Sequence, residues 1–233
     1  MRLTTMAESL EQRLQRKDHH DLSTEEFVGL LVDDEYTAKQ NRKLNRMINR
    51  ADFKPEQACL ENIKYHPTRG FGKKDIMQLT MQTWINNSQN LILVGATGTG
   101  KTYLAEAVGL HACKMGFPAK KIRYKKLFEE IKTNRGTGLY LDYIQKIEKF
   151  KILILDDFLM SPVEPQELND LLDIIEDRTM RAPIIITTQY PIKKWHTILQ
   201  EPTIADAICD RLIHGAITLN LEGPSMRKLT RKN

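Results

Sequence analysis

The octapeptide at residues 95–102 reads Gly95-Ala96-Thr97-Gly98-Thr99-Gly100-Lys101-Thr102, which matches the phosphate-binding pattern G-x-x-x-x-G-K-[ST]. Glycines in such a loop let consecutive backbone N–H groups point at one anion, and the helix that follows adds its positive end. Lys101 is expected to reach the β- and γ-phosphates of a bound nucleotide, and the Thr102 hydroxyl to ligate Mg²⁺. All eight residues are therefore candidate nucleotide contacts. The alternative is a glycine-rich turn that binds nothing.

The segments on both sides of this loop predict an α/β fold. The apolar run 91–94 leads into the loop, and a helical pattern over 101–115 follows it. Strand and helix patterns then alternate, and several strands are continuous apolar runs, which suits a parallel sheet covered by helices on both faces. The predicted strands are five, at 91–94, 121–124, 151–155, 183–188 and 216–221. The predicted helices lie at 74–86, 101–115, 126–132, 139–149, 164–180, 191–199 and 203–213.

Two acids, Asp156 and Asp157, end the third predicted strand. In a parallel sheet this strand end lies beside the phosphate loop, so Asp156 is expected to hold Mg²⁺ through water. Asp157 is expected to polarise the attacking water as the general base, although an aspartate is shorter than the glutamate usually found there. The alternative is a strand end with two solvated acids.

The first part of the chain has a helical pattern. Apolar residues recur at three- and four-residue spacing through residues 10–32, and Ser23-Thr24-Glu25-Glu26 is typical of a helix start. A further helix is predicted over 34–51. Breaks follow at Lys54-Pro55, His66-Pro67 and 70–72. This pattern predicts a small all-helical domain over residues 1–66 and an ATPase domain over 67–233.

Charge is unevenly distributed along the chain, whose 35 basic and 30 acidic residues give a net charge of +5. Residues 1–37 hold four basic and nine acidic residues, whereas residues 38–74 hold ten basic and three acidic ones. Along the predicted helix the basic residues form one stripe, which fits a DNA backbone without reading its sequence. The stripe contains Lys39, Arg42, Lys43, Arg46, Arg50 and Lys54, and a second cluster contains Lys121, Arg123 and Lys125. The alternatives are a solvated helix face and pairing with the acidic half of the segment.

Composition excludes several classes of protein. Hydrophobic residues make up 41% and charged residues 28% of the 233 residues, which excludes disorder of the whole chain and a collagen-like fold. The sequence contains no apolar run of about eighteen residues, so no transmembrane helix is predicted. The first residues lack the apolar core of a signal peptide, so no signal peptide is predicted. Three widely separated cysteines, Cys59, Cys113 and Cys209, fit buried thiols in a reducing cytoplasm better than disulfides or a metal site.

Further stretches of the chain are more specific than the phosphate loop alone. They lie at 6–10, 31–38, 41–44, 187–191, 195–196, 202–208, 210–212 and 223–228. With them, nearly the whole chain resembles the IstB-like ATPases of insertion-sequence transposition, which belong to the AAA+ class and are relatives of the DnaC helicase loaders. The resemblance implies an AAA+ P-loop fold, ATP and Mg²⁺ as cofactors, double-stranded DNA and a transposase as partners, and a homo-oligomer with shared ATP sites. Only ten residues follow Gly223, too few for the helical lid of most AAA+ proteins.

The resemblance also implies roles for residues outside the two motifs. Thr188 and Gln189 look like the sensor-1 site, which touches the γ-phosphate or the attacking water. Arg211 looks like the arginine finger that reaches the γ-phosphate of a neighbouring subunit, and the alternative for it is a surface salt bridge. Arg227 looks like the sensor-2 arginine, in a basic tail. The chain departs from the family at Phe158-Leu159-Met160, because a glycine usually follows soon after the two aspartates.

Four functions are compatible with these motifs. An AAA+ ATPase that assembles on DNA and activates a transposase is the first, and a DnaC-like replicative helicase loader is the second. The N-terminal stretches and residues 202–211 favour the first. A nucleotide-switched DNA scaffold with negligible turnover is the third, and it requires that Asp157 not act as a base. A small-molecule P-loop kinase is the fourth, and it requires a lid, which the short C-terminal tail does not favour.

Overall fold

The computed structural model describes residues 3–16, 22–53, 58–63 and 67–226. The chain forms two compact units that divide after Met47. Residues 48–53 and 58–63 group with the second unit, in which Phe53, Ala58 and Leu60 are buried. The domain boundary predicted after residue 66 lies further along the chain than this division after Met47, and it stays a prediction.

The described residues of the first unit are mostly helical. Helix α1 spans Thr4–Arg16, and helix α2 spans Thr24–Ala51, so the helical pattern that begins at Ser23 and the helix predicted over 34–51 belong to one continuous helix. The start of α2 is fixed by a capping box. The Ser23 hydroxyl accepts a hydrogen bond from the Glu26 N–H (3.2 Å), and the Glu26 carboxylate accepts one from the Ser23 N–H (2.8 Å).

Hydrogen bonds to two acids tie α1 to α2 within the first unit. Asp34 accepts from the Arg13 guanidinium at 2.9 Å. The buried Glu35 accepts from the Met6 N–H at 2.9 Å and from the Arg42 guanidinium at 2.8 Å. The hydrogen bond from Met6, with that from Arg42, holds the pKa of Glu35 below its usual range.

The second unit contains a sheet of five strands, β1 (Leu91–Gly95), β2 (Ala119–Arg123), β3 (Ile152–Asp156), β4 (Ile184–Thr188) and β5 (Ile217–Leu221). All the pairings are parallel, and the spatial order is β2-β3-β4-β1-β5. The predicted five-stranded parallel sheet is confirmed. Since all the strands point the same way, the residues that follow β1, β3 and β4 meet at one edge of the sheet.

Helices of the second unit follow the predicted pattern with two interruptions. The helix predicted at 74–86 is split into α3 (Lys73–Thr80) and α4 (Thr83–Asn86), and the one predicted at 191–199 begins as a 3₁₀ turn at Ile192–Lys194. The remaining helices are α5 (Lys101–Lys114), α6 (Tyr124–Gly136), α7 (Tyr140–Glu148), α8 (Pro165–Arg178), α9 (Trp195–Leu199) and α10 (Pro202–Ile213). In the part of the chain that the structure describes, no helix is both long and apolar enough to cross a membrane.

An aromatic row in the core anchors the turn after β3. The ring centroid of Phe158 lies 4.8 Å from that of Tyr124 and 4.9 Å from that of Trp195, and all three side chains are fully buried. Tilted and edge-on contacts of this kind are favourable for aromatic rings. Because Phe158 follows directly after Asp157, the row fixes the backbone that carries the two acids.

Candidate functional site

The phosphate loop connects β1 to α5 and depends on glycine at two positions. Gly98 has φ +86°, in the left-handed region, and a Cβ there would lie 2.3 Å from the Ser225 hydroxyl oxygen. A Cβ on Gly95 would lie 2.2 Å from the Leu221 carbonyl oxygen. The loop therefore packs closely on the end of β5 and on the segment that follows it, and only glycine permits this path of the backbone.

Lys101, the first residue of α5, lies over this loop. Its ammonium nitrogen is 2.8 Å from the Gly95 carbonyl oxygen and 3.0 Å from that of Ala96, and the residue is 6% exposed. A buried ammonium group needs acceptors, and the loop carbonyls provide them. The positive charge is thereby held where an anion in the loop gains most from it.

Thr102 and Asp156 join the phosphate loop to the end of β3. The Thr102 hydroxyl donates a hydrogen bond to Asp156 Oδ1 at 2.8 Å, and Asp156 is 3% exposed. A hydroxyl oxygen and a carboxylate are the kind of ligands that Mg²⁺ takes. The two residues that the sequence predicted as metal ligands are thus in contact, and they fit this ion.

Asp157 lies at the same edge but differs from its neighbour. It is exposed, and its backbone has φ +59°, in the left-handed region. Leu159, in the run where a glycine was expected, has φ +62° and is buried. Two non-glycine residues in this conformation within three positions indicate a strained turn, and such strain is typical of functional sites.

The two predicted sensor residues follow at the end of β4. The Thr188 hydroxyl donates to the Phe158 carbonyl oxygen at 3.0 Å and accepts from the Tyr190 N–H at 3.1 Å, so it supports the turn after β3. Gln189 is half-buried beside it. The neighbouring Thr187, which the sequence motifs did not mark as a site residue, donates its hydroxyl hydrogen to Asp156 Oδ1 at 2.6 Å.

A second group that sequence analysis missed surrounds the phosphate loop from outside. The Arg69 guanidinium donates to the Thr99 carbonyl oxygen at 2.9 Å and lies 4.8 Å over the centre of the Phe71 ring. The Met226 N–H donates to the Gly98 carbonyl oxygen at 2.9 Å. Burial lowers the pKa of Arg69. No local pattern in the sequence marks these contacts, because they join segments far apart along the chain.

Arg211 lies away from the phosphate loop. The Asn90 side chain, directly before β1, donates to the Arg211 carbonyl oxygen at 3.0 Å, whereas the loop follows the other end of β1. The Arg211 guanidinium pairs with Glu176 of α8 at 2.7 Å and donates to the Ala207 carbonyl oxygen. The structure thus does not bring Arg211 to Lys101 within one chain. The other predicted arginine, Arg227, lies outside the described residues.

The predicted DNA-binding residues differ in their surroundings. Lys39, Lys43, Arg46 and Arg50 are exposed on α2, while Arg42 is engaged by Glu35, which is the internal pairing that the sequence allowed. Lys121 is paired with the buried Glu106. Arg123 and Lys125 are exposed, and Lys125 lies 3.9 Å from Glu129. Lys54 lies outside the described residues.

Solved structures of AAA+ proteins have the same fold as this chain. DnaA from Aquifex aeolicus, bound to AMPPCP, matches with a TM-score of 0.61 and 19% identity, over 78% of this chain and 56% of that one. The DnaC helicase loader matches with a TM-score of 0.58 and 19% identity, over 71% of this chain and 97% of that one. At such identity the likeness shows the fold alone.

Sequence relatives cover the chain more completely. A protein of Sinorhizobium fredii, named as an insertion sequence ATP-binding protein, is 36% identical over 232 residues, which span 100% of this chain and 94% of the relative. The family model described as IstB-like ATP binding protein matches residues 1–233. The resemblance inferred from the sequence is thereby confirmed, and the chain belongs to the IstB-like ATP-binding protein family.

Proposed function

We propose that this chain is a Mg²⁺-dependent ATPase that assembles on DNA and assists the transposase of an insertion sequence. The observation that carries the proposal is the hydrogen bond between Thr102 and Asp156, which joins the phosphate loop to the acidic end of β3 beside Lys101. The name of the Sinorhizobium relative supports the connection with an insertion sequence.

In this proposal, residues of the phosphate loop and the two acids at the end of β3 have separate roles in hydrolysis. The loop from Gly95 to Thr102 binds the phosphates, and Lys101 neutralises charge on the β- and γ-phosphates. Thr102 and Asp156 would hold Mg²⁺, and the bound ion would neutralise the charge that develops on the phosphate oxygens. Asp157 takes a proton from the attacking water as the water oxygen bonds to the γ-phosphorus and the bond between that phosphorus and the β–γ bridging oxygen breaks, giving ADP and phosphate.

Residues at the end of β4 and on α10 complete the proposed chemistry. Gln189 is proposed to orient the attacking water, since the Thr188 hydroxyl is already engaged by the backbone of Phe158 and Tyr190. Arg211 is proposed to act on the γ-phosphate of a neighbouring copy, because it lies at the opposite end of β1 from its own loop. The active form is then a homo-oligomer.

We propose that DNA binds the exposed side of α2. Lys39, Lys43, Arg46 and Arg50 are exposed there, and basic side chains at such spacing suit contacts with the phosphates of double-stranded DNA. Arg123 and Lys125 form a second exposed basic group. We also place the protein in the cytoplasm, where the free thiols of Cys59, Cys113 and Cys209 remain reduced.

A replicative helicase loader is the second candidate, and the fold likeness to the DnaC helicase loader favours it. The ATPase core is compatible with both functions, so the partner must decide between them. The test uses the full chain, bound to duplex DNA with ATP, and purified transposase or replicative helicase as the second protein. Capture of the transposase supports the proposal, and capture of the helicase alone supports the loader.

Hydrolysis is tested separately from the partner. The rate of phosphate release is measured with and without duplex DNA, and Lys101→Ala is the control that removes the charge over the loop. A rate that DNA increases and that Lys101→Ala abolishes supports the proposed ATPase. Nucleotide binding without turnover would support the scaffold function.

A further inference from the structure

We propose that Thr187 is a positioning residue for ATP hydrolysis, whose hydroxyl group holds Asp156 and Asp157 in the arrangement that Mg²⁺ binding and water activation require. The inference rests on the proposed ATPase function and adds a residue that lies outside the phosphate loop, the acid pair and the predicted sensor positions.

The Thr187 hydroxyl bridges the two acids directly. It donates to Asp156 Oδ1 at 2.6 Å and accepts from the Asp157 N–H at 3.0 Å. A hydroxyl group has a single proton to donate, so its donor is fully used by Asp156. Thr187 is fully buried, and hydrogen bonds between buried groups and a carboxylate are among the strong ones.

The bridge also fixes which oxygen of Asp156 is left for the metal ion. Oδ1 accepts from both Thr102 and Thr187, and these two bonds use the two lone pairs of that oxygen. The other oxygen, Oδ2, would then be the one available to the ion or its water shell. Thr102 lies in the first turn of α5, whereas Thr187 belongs to β4, which is hydrogen-bonded on both sides in the sheet. The two donors thus hold Asp156 from two different elements of the fold.

The backbone of the strained turn depends on the same residue. The Asp157 N–H donates to the Thr187 hydroxyl, and the Phe158 N–H donates to the Thr187 carbonyl oxygen at 2.8 Å. These bonds hold Asp157 in its left-handed conformation, which a non-glycine residue adopts only when its surroundings impose it. Loss of the hydroxyl is thus expected to disturb both the metal ligand and the candidate base.

The test compares three side chains at position 187. Thr187→Val keeps the shape and removes the hydroxyl, whereas Thr187→Ser keeps the hydroxyl. Binding of Mg²⁺ is measured by titration into the protein saturated with a fluorescent ATP analogue, and binding of the analogue in EDTA is measured as a control. We expect Thr187→Val to weaken Mg²⁺ binding by about 10- to 100-fold, the range for loss of a residue that orients a metal ligand. Binding in EDTA is expected to stay unchanged.

Hydrolysis gives an independent measure. Thr187→Val is expected to lower kcat with little change in the KM for ATP, and Thr187→Ser to restore both Mg²⁺ binding and kcat to near the parent values. Thermal unfolding checks that each variant is folded at the assay temperature. Thr187→Ala, which removes the hydroxyl without adding bulk, replaces Thr187→Val if the latter is unfolded.

The outcomes separate this inference from the function on which it rests. Asp156→Asn in the same titration shows whether Mg²⁺ binds at the predicted place. If Asp156→Asn loses Mg²⁺ binding while the hydroxyl-free variants match the parent, Thr187 is only a structural residue and the inference is wrong. Equal defects in Thr187→Ser and Thr187→Val would overturn it as well. A parent protein with neither Mg²⁺-dependent binding nor turnover would overturn the proposed ATPase and the inference together.

Discussion

The Arg211 guanidinium lies 2.7 Å from the Glu176 carboxylate, at the end of the sheet opposite the phosphate loop. Their side chains are 31% and 46% exposed, so solvent screens the pair. Exposed ion pairs of this kind contribute about 0.2–1 kcal/mol, which is little compared with the interaction of an arginine with a phosphate. The contact in the single chain is thus a surface salt bridge that a neighbouring γ-phosphate could replace.

The first prediction concerns the role of Arg211 between copies. Arg211→Ala is expected to bind ATP normally and to hydrolyse it about 10³-fold more slowly, because an arginine finger stabilises charge only in the transition state. Mixing it with Lys101→Ala is expected to restore part of the activity, since one variant has an intact loop and the other an intact arginine. Phosphate release against mixing ratio is the measurement, and an inactive mixture would contradict a shared site.

Glu176, the ion-pair partner of Arg211, allows a second test of the same site with a matched control variant. Glu176→Gln removes the charge that holds Arg211, so hydrolysis is expected to reach half of its maximum at a lower protein concentration. Asp177→Asn changes the neighbouring exposed acid of α8 in the same way and is expected to behave like the parent. If both variants lower the protein concentration at half-maximal hydrolysis equally, the cause would be a general charge effect and not the loss of the Arg211–Glu176 pair.

The second prediction concerns Asp157. Asp157→Asn keeps the size of the side chain but cannot accept a proton, so hydrolysis is expected to slow by about 10²- to 10⁴-fold. Binding of ATP and DNA is expected to remain, which leaves the assembly trapped on DNA. Phosphate release and the lifetime of the DNA complex are measured together. Turnover at the parent rate would favour a scaffold that needs no base at this position.

The third prediction concerns the exposed basic face of α2. Arg46→Glu and Arg50→Glu are expected to weaken binding to every duplex sequence about equally, because interactions with the DNA backbone release counterions without reading bases. The slope of log affinity against log salt is expected to fall by about one for each phosphate that the variant no longer neutralises. ATP binding serves as the control. A weakening confined to some sequences would point to readout of the bases instead.

The fourth prediction concerns the stability of the turn after β3. Leu159 is buried but has a left-handed backbone, so Leu159→Ala loses the side chain and keeps the strain, whereas Leu159→Gly loses both. We expect the glycine variant to be the more stable by about 1 kcal/mol. Leu168 is buried in α8, and there the order is expected to reverse, with alanine about 1 kcal/mol more stable than glycine. Urea unfolding measures all four variants.

The parts of the fold that depend on local pattern could be predicted from the sequence. The loop that ends in Lys101, the acids that end β3 and the start of α2 at Ser23 all follow from residues that lie next to one another. The helical pattern that begins at Ser23 and the helix predicted over 34–51 form one helix instead, and within it Asp34 pairs with Arg13 of α1. This pairing joins residues far apart along the chain, so the local pattern does not reveal it.

The parts that depend on register could not be predicted in the same way. Whether Thr187 or Thr188 faces the acids is decided by how β4 pairs with β3, where Leu155 lies opposite Ile186. Continuing this register places Asp156 beside Thr187, and successive side chains of a strand point to opposite faces. The contacts of Arg69 and Met226 with the phosphate loop depend on segments that meet only after folding.

Arg211 and Lys101 lie at opposite ends of β1, so the two surfaces with which a copy would meet its neighbours are different. An interface that presents the arginine of one copy to the loop of the next uses two different surfaces, so copies follow one another head to tail. A closed ring of such copies has as many complete sites as subunits, whereas an open row always has one loop without an arginine. Turnover per chain would then climb gradually as a row lengthens, but would reach its full value at once when a ring closes.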